Sequence, residues 1–143
     1  MMMLGQATRL PQTRSRVLLG HERSGIATWE SELLARLGPS GVLVQHAYTA
    51  ADVVRVVETE TVHVALLSDA PRIDGLSVLR MIRTIDGSLP CVLIAAEPDR
   101  RWLEQALALR ANSVFSPPID AELMCRLVTR LLRERRGAPD ELA

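Results

Sequence analysis

Lysine is absent from the 143-residue chain, and all 17 of its basic side chains are arginine. A chain without lysine cannot form a lysine Schiff base, offer a P-loop lysine to a nucleotide, or set an ammonium against a phosphoryl group. Neither sign of charge dominates, because 17 acidic residues balance the 17 arginines. No whole-chain field therefore draws nucleic acid or an anionic membrane. Aromatics make up only 3% of the residues. No uncharged apolar run approaches the roughly 20 residues of a membrane helix. The two cysteines, Cys91 and Cys125, lie in apolar segments at no metal-binding spacing. They read as packed thiols in a reduced, cytoplasmic interior. Gly20 and Gly25 do not make a dinucleotide-binding loop, so no nicotinamide or flavin cofactor is predicted. Ser24, Ser68, Ser113 and Ser116 lack a partnered histidine and acid, and no Gly-x-Ser-x-Gly surrounds any of them. A hydrolase has no support, and the chain reads as no enzyme.

What is present is the balance of one globular domain, 48% hydrophobic and 24% charged. Residues 1–14 show no sustained period and no signal-peptide pattern, and read as a mobile tail. Residues 137–143 read as a second tail, leaving a domain over 15–136.

Within that domain two periods alternate. Arg16–Gly20 is an apolar run suited to a strand buried on both faces. Ile26, Trp29, Leu33 and Leu37 follow at helical spacing, stopped by Gly38-Pro39. Val42–Ala47 is a second strand, and Thr49 with Asp52 reads as the N-cap of a helix striped by Val53, Val56 and Val57. Val62–Leu67 is the third strand. After the loop through Asp74-Gly75, Leu76, Leu79 and either Met81 or Ile82 line a third helix. Pro90 opens a fourth strand over Cys91–Ala95, and Asp99 caps a helix carrying Leu103, Ala106 and Leu107. Ser113–Ser116 is a fifth strand closed by Pro117-Pro118. Asp120 caps a last helix with Leu123, Leu127, Leu131 and Leu132. Five strand–helix units with short loops predict an α/β fold, a parallel sheet with helices on both faces. Its polar groups should converge beyond the carboxyl ends of the strands.

Asp69 to Leu76 and the helix Val78-Leu79-Arg80-Met81-Ile82-Arg83 resemble one loop and helix of response-regulator receiver domains. The fit extends to Pro90–Ile94 and to the Ala-x-x-x-Phe-x-x-Pro that ends at Pro118. The resemblance implies the flavodoxin-like (βα)5 doubly wound fold, with strand order 2-1-3-4-5. It also implies a phosphoacceptor aspartate ending the third strand, two Mg²⁺-holding acids after the first, a hydroxyl after the fourth and a lysine after the fifth. Here those positions are Leu67, His21 and Glu22, Ala95, and Pro117, while the aromatic switch position is Val114. The chain thus resembles a pseudo-receiver, the scaffold without its phosphoryl chemistry. One metal-holding acid, the cation and the nucleophile are lost together, and phosphoryl transfer rests on all of them.

Three functional readings follow. The first is a standalone pseudo-receiver in a bacterial two-component-type pathway, acting by protein–protein contact without phosphorylation. Its interaction face would be the fourth helix, fifth strand and fifth helix, with Trp102, Val114, Arg126 and Arg130, used for a partner or for self-association. The second is a divergent phosphoacceptor at Asp69, set against a loop carboxylate that binds amides in the turn before Pro71. The third is a ligand or metal sensor in a cleft near His21 and Glu22, with Glu22 and Asp69 as weak metal candidates. Against it, His21 and Glu22 read as solvated residues, Glu22 paired with Arg23 or a nearby arginine. His46 and His63 have no second histidine at ligand spacing. Arg126, Arg130, Arg133, Arg135 and Arg136 make the last helix basic at its end, which suits a helix C-terminus better than nucleic acid.

Overall fold

The structure, a computed structural model, describes residues 14–22 and 28–136. The expected tails, apart from Arg14, and the readings on Arg23, Ser24, Gly25 and Ile26 lie outside these residues. Strands and helices alternate as β1 (Arg16–Gly20), α1 (Thr28–Leu37), β2 (Leu43–Ala47), α2 (Ala50–Thr59), β3 (Val64–Ser68), α3 (Gly75–Ile85), β4 (Cys91–Ile94), α4 (Arg100–Ala108), β5 (Ser113–Phe115) and α5 (Ala121–Arg136). A short 3-10 turn at Gly38–Ser40 follows α1, as the Gly-Pro stop predicts. All strands pair in parallel, in the order β2-β1-β3-β4-β5. Residues of α2, α3 and α4 cover one face of the sheet, and residues of α1 and α5 the other. Central β1, β3 and β4 are apolar on both faces because both are covered. Edge strand β2 is half-exposed along most of its length.

Caps set the helix starts. The Thr49 hydroxyl accepts from the Asp52 amide at 3.1 Å, and Asp99 accepts from the Trp102 amide at 2.8 Å. Asp120 accepts from the amides of Glu122 and Leu123 at 2.9 and 3.1 Å. Each satisfies backbone donors that a helix leaves unpaired.

Two apolar stripes differ from expectation. On α4, Ala106 is buried, while Leu103 and Leu107 are 41% and 75% exposed. Trp102 and Leu109 supply the inward contacts instead. On α5 the inward row is Met124, Val128, Leu131 and Leu132, and Leu123 stands 52% exposed, one position off that row. On α3, Ile82 is buried and Met81 exposed.

One arginine staples the amino end of β4. Arg83 Nε donates to the Leu109 carbonyl at 2.9 Å, Nη1 to Leu89 at 2.8 Å, and Nη2 to Arg110 at 3.0 Å. Beside it Arg135 meets Asp86 at 2.7 Å. Burial opposes ionisation of Asp86, but Arg135 and Ser88 hold its carboxyl below the ordinary value. Cys91, buried at the same level, has its thiol pushed up to about 12 by that burial and is unreactive. Arg83→Met should lower the unfolding free energy by about 2 kcal/mol, since it strands several carbonyls. Arg100→Met, which loses only an exposed pair with Glu104, should change it by under about 0.5 kcal/mol. Urea unfolding of both variants checks this.

Candidate functional site

The parallel register brings the carboxyl ends of β1, β3 and β4 side by side. At the level of Leu67 the row across the sheet reads Ala47, Gly20, Leu67, Leu93 and Val114. No polar side chain interrupts it. Leu67 is fully buried and packs with Ala47, Leu93 and Val114 under α2, α3 and α4. A Cβ at Gly20 would stand 2.9 Å from Val53 Cγ2 and 3.1 Å from Leu67 Cδ2. Leu67 and Val53 therefore close over the glycine, and a larger residue there would push them apart. The position at which the resemblance implies a phosphoacceptor is a sealed part of the core. Ala95, in place of the hydroxyl residue, is also buried. Pro117, in place of the lysine, is exposed beyond β5.

The polar residues around this apolar row have structural partners. Asp69 Oδ1 accepts from the Gly75 amide at 2.7 Å. That amide opens α3, so the carboxylate reaches across the loop rather than into the turn before Pro71, the bland expectation. The loop itself is closed by paired backbone bonds between Ala70 and Ile73 at 2.9 and 3.0 Å. Glu22 Oε2 accepts from the Arg72 backbone amide at 3.0 Å. It therefore ties β1 to the same loop through backbone, where a guanidinium was expected.

His21 is buried, not solvated as expected. Its Nε2 lies 3.0 Å from His46 Nδ1, and its Nδ1 lies 3.6 Å from Glu30 Oε2 on α1. The Tyr48 ring stacks on His46, with centroids 6.1 Å apart. Hydrogen bonds thus take His21 to His46, Glu22 to Arg72 and Asp69 to Gly75, and an ion-pair contact takes His21 to Glu30, instead of bringing His21, Glu22 and Asp69 together. No group of three or more potential ligands that could hold a metal forms among the described residues. His46, Glu30 and Tyr48 were not legible as a cluster, because His21 and His46 stand 25 residues apart. Their signal was the pairing of β1 with β2, which sets Leu19 against His46. His63 sits just before β3, and its Nδ1 accepts from the Arg16 amide at 2.9 Å.

The cavity at this end, about 680 Å³, lies between the loops after β3 and β4. Its walls include Asp69, Pro71, Arg80, Ala95, Glu97 and Trp102, but not His21 or Glu22. On the expected interaction face, Trp102 and Val114 are half-buried against the core. Arg126 and Arg130 are exposed and paired with Glu122 and Glu134 at 2.9 and 3.7 Å.

The sealed row makes a direct prediction. Leu67→Asp should cost about 3–5 kcal/mol, the cost of an uncompensated buried charge. Leu67→Met, of similar volume, should cost less than about 1.5 kcal/mol. Thermal and urea unfolding read the difference.

No family model matches the chain, and no curated protein sequence matches it. Solved structures do. A receiver domain protein of CheY type from Methanospirillum hungatei JF-1 superposes with a TM-score of 0.75 at 16% identity, over 87% of this chain and 98% of that one. A two-component response regulator from Clostridium difficile gives 0.73 at 16% identity, over 87% and 100%. An orphan response regulator of H. pylori gives 0.71 at 18% identity, over 85% and 100%. At such identities the likeness is one of fold: this chain has the flavodoxin-like fold of response-regulator receiver domains.

Proposed function

We propose that the protein is a pseudo-receiver in a two-component-type signalling pathway, acting through protein contact without phosphorylation. One observation carries the reading: the phosphoacceptor position is Leu67, fully buried within an apolar row. A phosphoryl group needs a nucleophile, a metal and a cation within reach. Here the nearest acids, Asp69 and Glu22, are held by backbone amides. A core without charge at this point has no phosphoryl-dependent state to enter, so its surface is set permanently.

The surface we assign to contact is α4, β5 and α5, and the occupant is a second copy of the chain. On these helices Leu103, Leu107 and Leu123 are exposed, apolar area that a second copy would remove from water. Arginines and glutamates pair among them along both helices. Sedimentation velocity tests the reading. The protein should show a concentration-dependent dimer, and Leu103→Glu with Leu107→Glu should return it to monomer. Because both side chains face solvent, the thermal midpoint should stay within a few degrees. Acetyl phosphate with Mg²⁺ should change neither result. A dimer that forms only after acetyl phosphate treatment, with added mass on Asp69, would contradict the proposal.

A further inference from the structure

The buried cluster at the ends of β1 and β2 belongs to neither the apolar row nor the α4–α5 surface. His21 and Glu30 are each only 5% exposed at their side chains, with a nitrogen–oxygen distance of 3.6 Å. His46 is half-buried. The two imidazoles face each other nitrogen to nitrogen at 3.0 Å. Tyr48 lies against both rings, with centroids 5.1 Å from His21 and 6.1 Å from His46.

We infer that this cluster is a proton-operated latch between α1 and the carboxyl end of β2. Donors and acceptors at the ring nitrogens decide how many protons the contact can hold. In the neutral pair, one ring's N–H fills the 3.0 Å gap and the other ring accepts. One added proton is tolerated: an imidazolium at His21 donates from Nε2 to His46 and from Nδ1 toward Glu30. A second added proton sets two N–H donors head to head. It also places two cations with ring centres 5.2 Å apart, with one carboxylate, Glu30, to offset them. The closed contact cannot survive that state, so the rings separate, and His46 is released from His21 and through it from Glu30 on α1, while the His21 amide keeps its bond to the Ala47 carbonyl.

The charged and titratable groups facing His21 among the described residues are Glu30 on α1, and His46 and Tyr48 from β2 and its end. Glu22, next in the chain, is engaged by the Arg72 amide. Burial lowers the His21 pKa, Glu30 raises it and His46 lowers it further, with a net shift below 6.5. The sign follows. A depressed folded value means that the unfolded chain binds more protons in acid. Stability from this site is complete above about pH 6.5 and is lost as pH falls through the lowered value. Protons at the latch need no phosphoryl chemistry, and the latch would exist equally in a phosphorylated chain. The inference therefore stands apart from the proposed function.

The test is a ¹⁵N-detected titration of the imidazoles of the full chain from pH 8 to 4.5. His21 and His46 should take up protons in two coupled steps. The second step should coincide with shifts of the Glu30 and Tyr48 backbone amides, and with a fall in thermal midpoint. His46→Gln should abolish the second step and flatten both responses. Two independent curves near pH 6.5 with unmoved amides would overturn the latch, as would an unchanged acid response in His46→Gln. Should that variant fail to fold, the wild-type ring curves alone decide the question.

Discussion

The burial of Leu67 at the carboxyl end of the central strand is the constraint from which the rest of this structure follows. A carboxylate in that place would have to be hydrated, paired or metal-bound. Leucine removes the requirement and contributes the burial of a whole apolar side chain, about 1.5–3 kcal/mol. Once the centre is apolar, neighbours that would serve a charge have nothing to serve. Ala95 is buried at the end of β4 and Pro117 follows β5 with no donor to offer. The row from Ala47 through Gly20, Leu67 and Leu93 to Val114 is then continuous core.

The acids that remain at this end do structural work. Asp69 holds the first amide of α3, and Glu22 holds the loop before it. Asp74 and Asp99 cap α3 and α4 through Ser77 and Trp102. Loops of α/β folds carry function because their polar groups are free to face a ligand. Here Glu22, Asp69, Asp74 and Asp99 each accept from a backbone amide, which fixes the loop geometry. The histidines follow the same logic: turned to the α1 face, His21 joins β1, β2 and α1 through His46 and Glu30.

The fold was legible in the sequence because its signals are local and repeated. Apolar strand runs, caps at Thr49, Asp99 and Asp120, and the Gly38-Pro39 stop each act within a few residues. The inward faces of α4 and α5 were legible only in part. Leu103, Leu107 and Leu123 satisfy helical spacing, yet which row faces the sheet depends on how each helix docks, which the spacing alone does not say. The departure from the residues that the receiver resemblance implies could be read at Leu67 and Pro117 as residue types. The partners of His21 could not, because they come from strand register and from a helix on the same face. Periodicity along one segment does not reveal which ring meets which across a sheet.

The proposed absence of a phosphoryl-dependent state rests on the closed apolar core at the carboxyl end of the sheet. Amide NMR spectra with and without Mg²⁺ and beryllofluoride, which mimics a phosphoryl group, test it most directly. Superimposable spectra are expected, with Glu22, Asp69 and Val114 unmoved at any concentration of the mimic. Saturable shifts clustered at those three residues would show a working switch and contradict the claim.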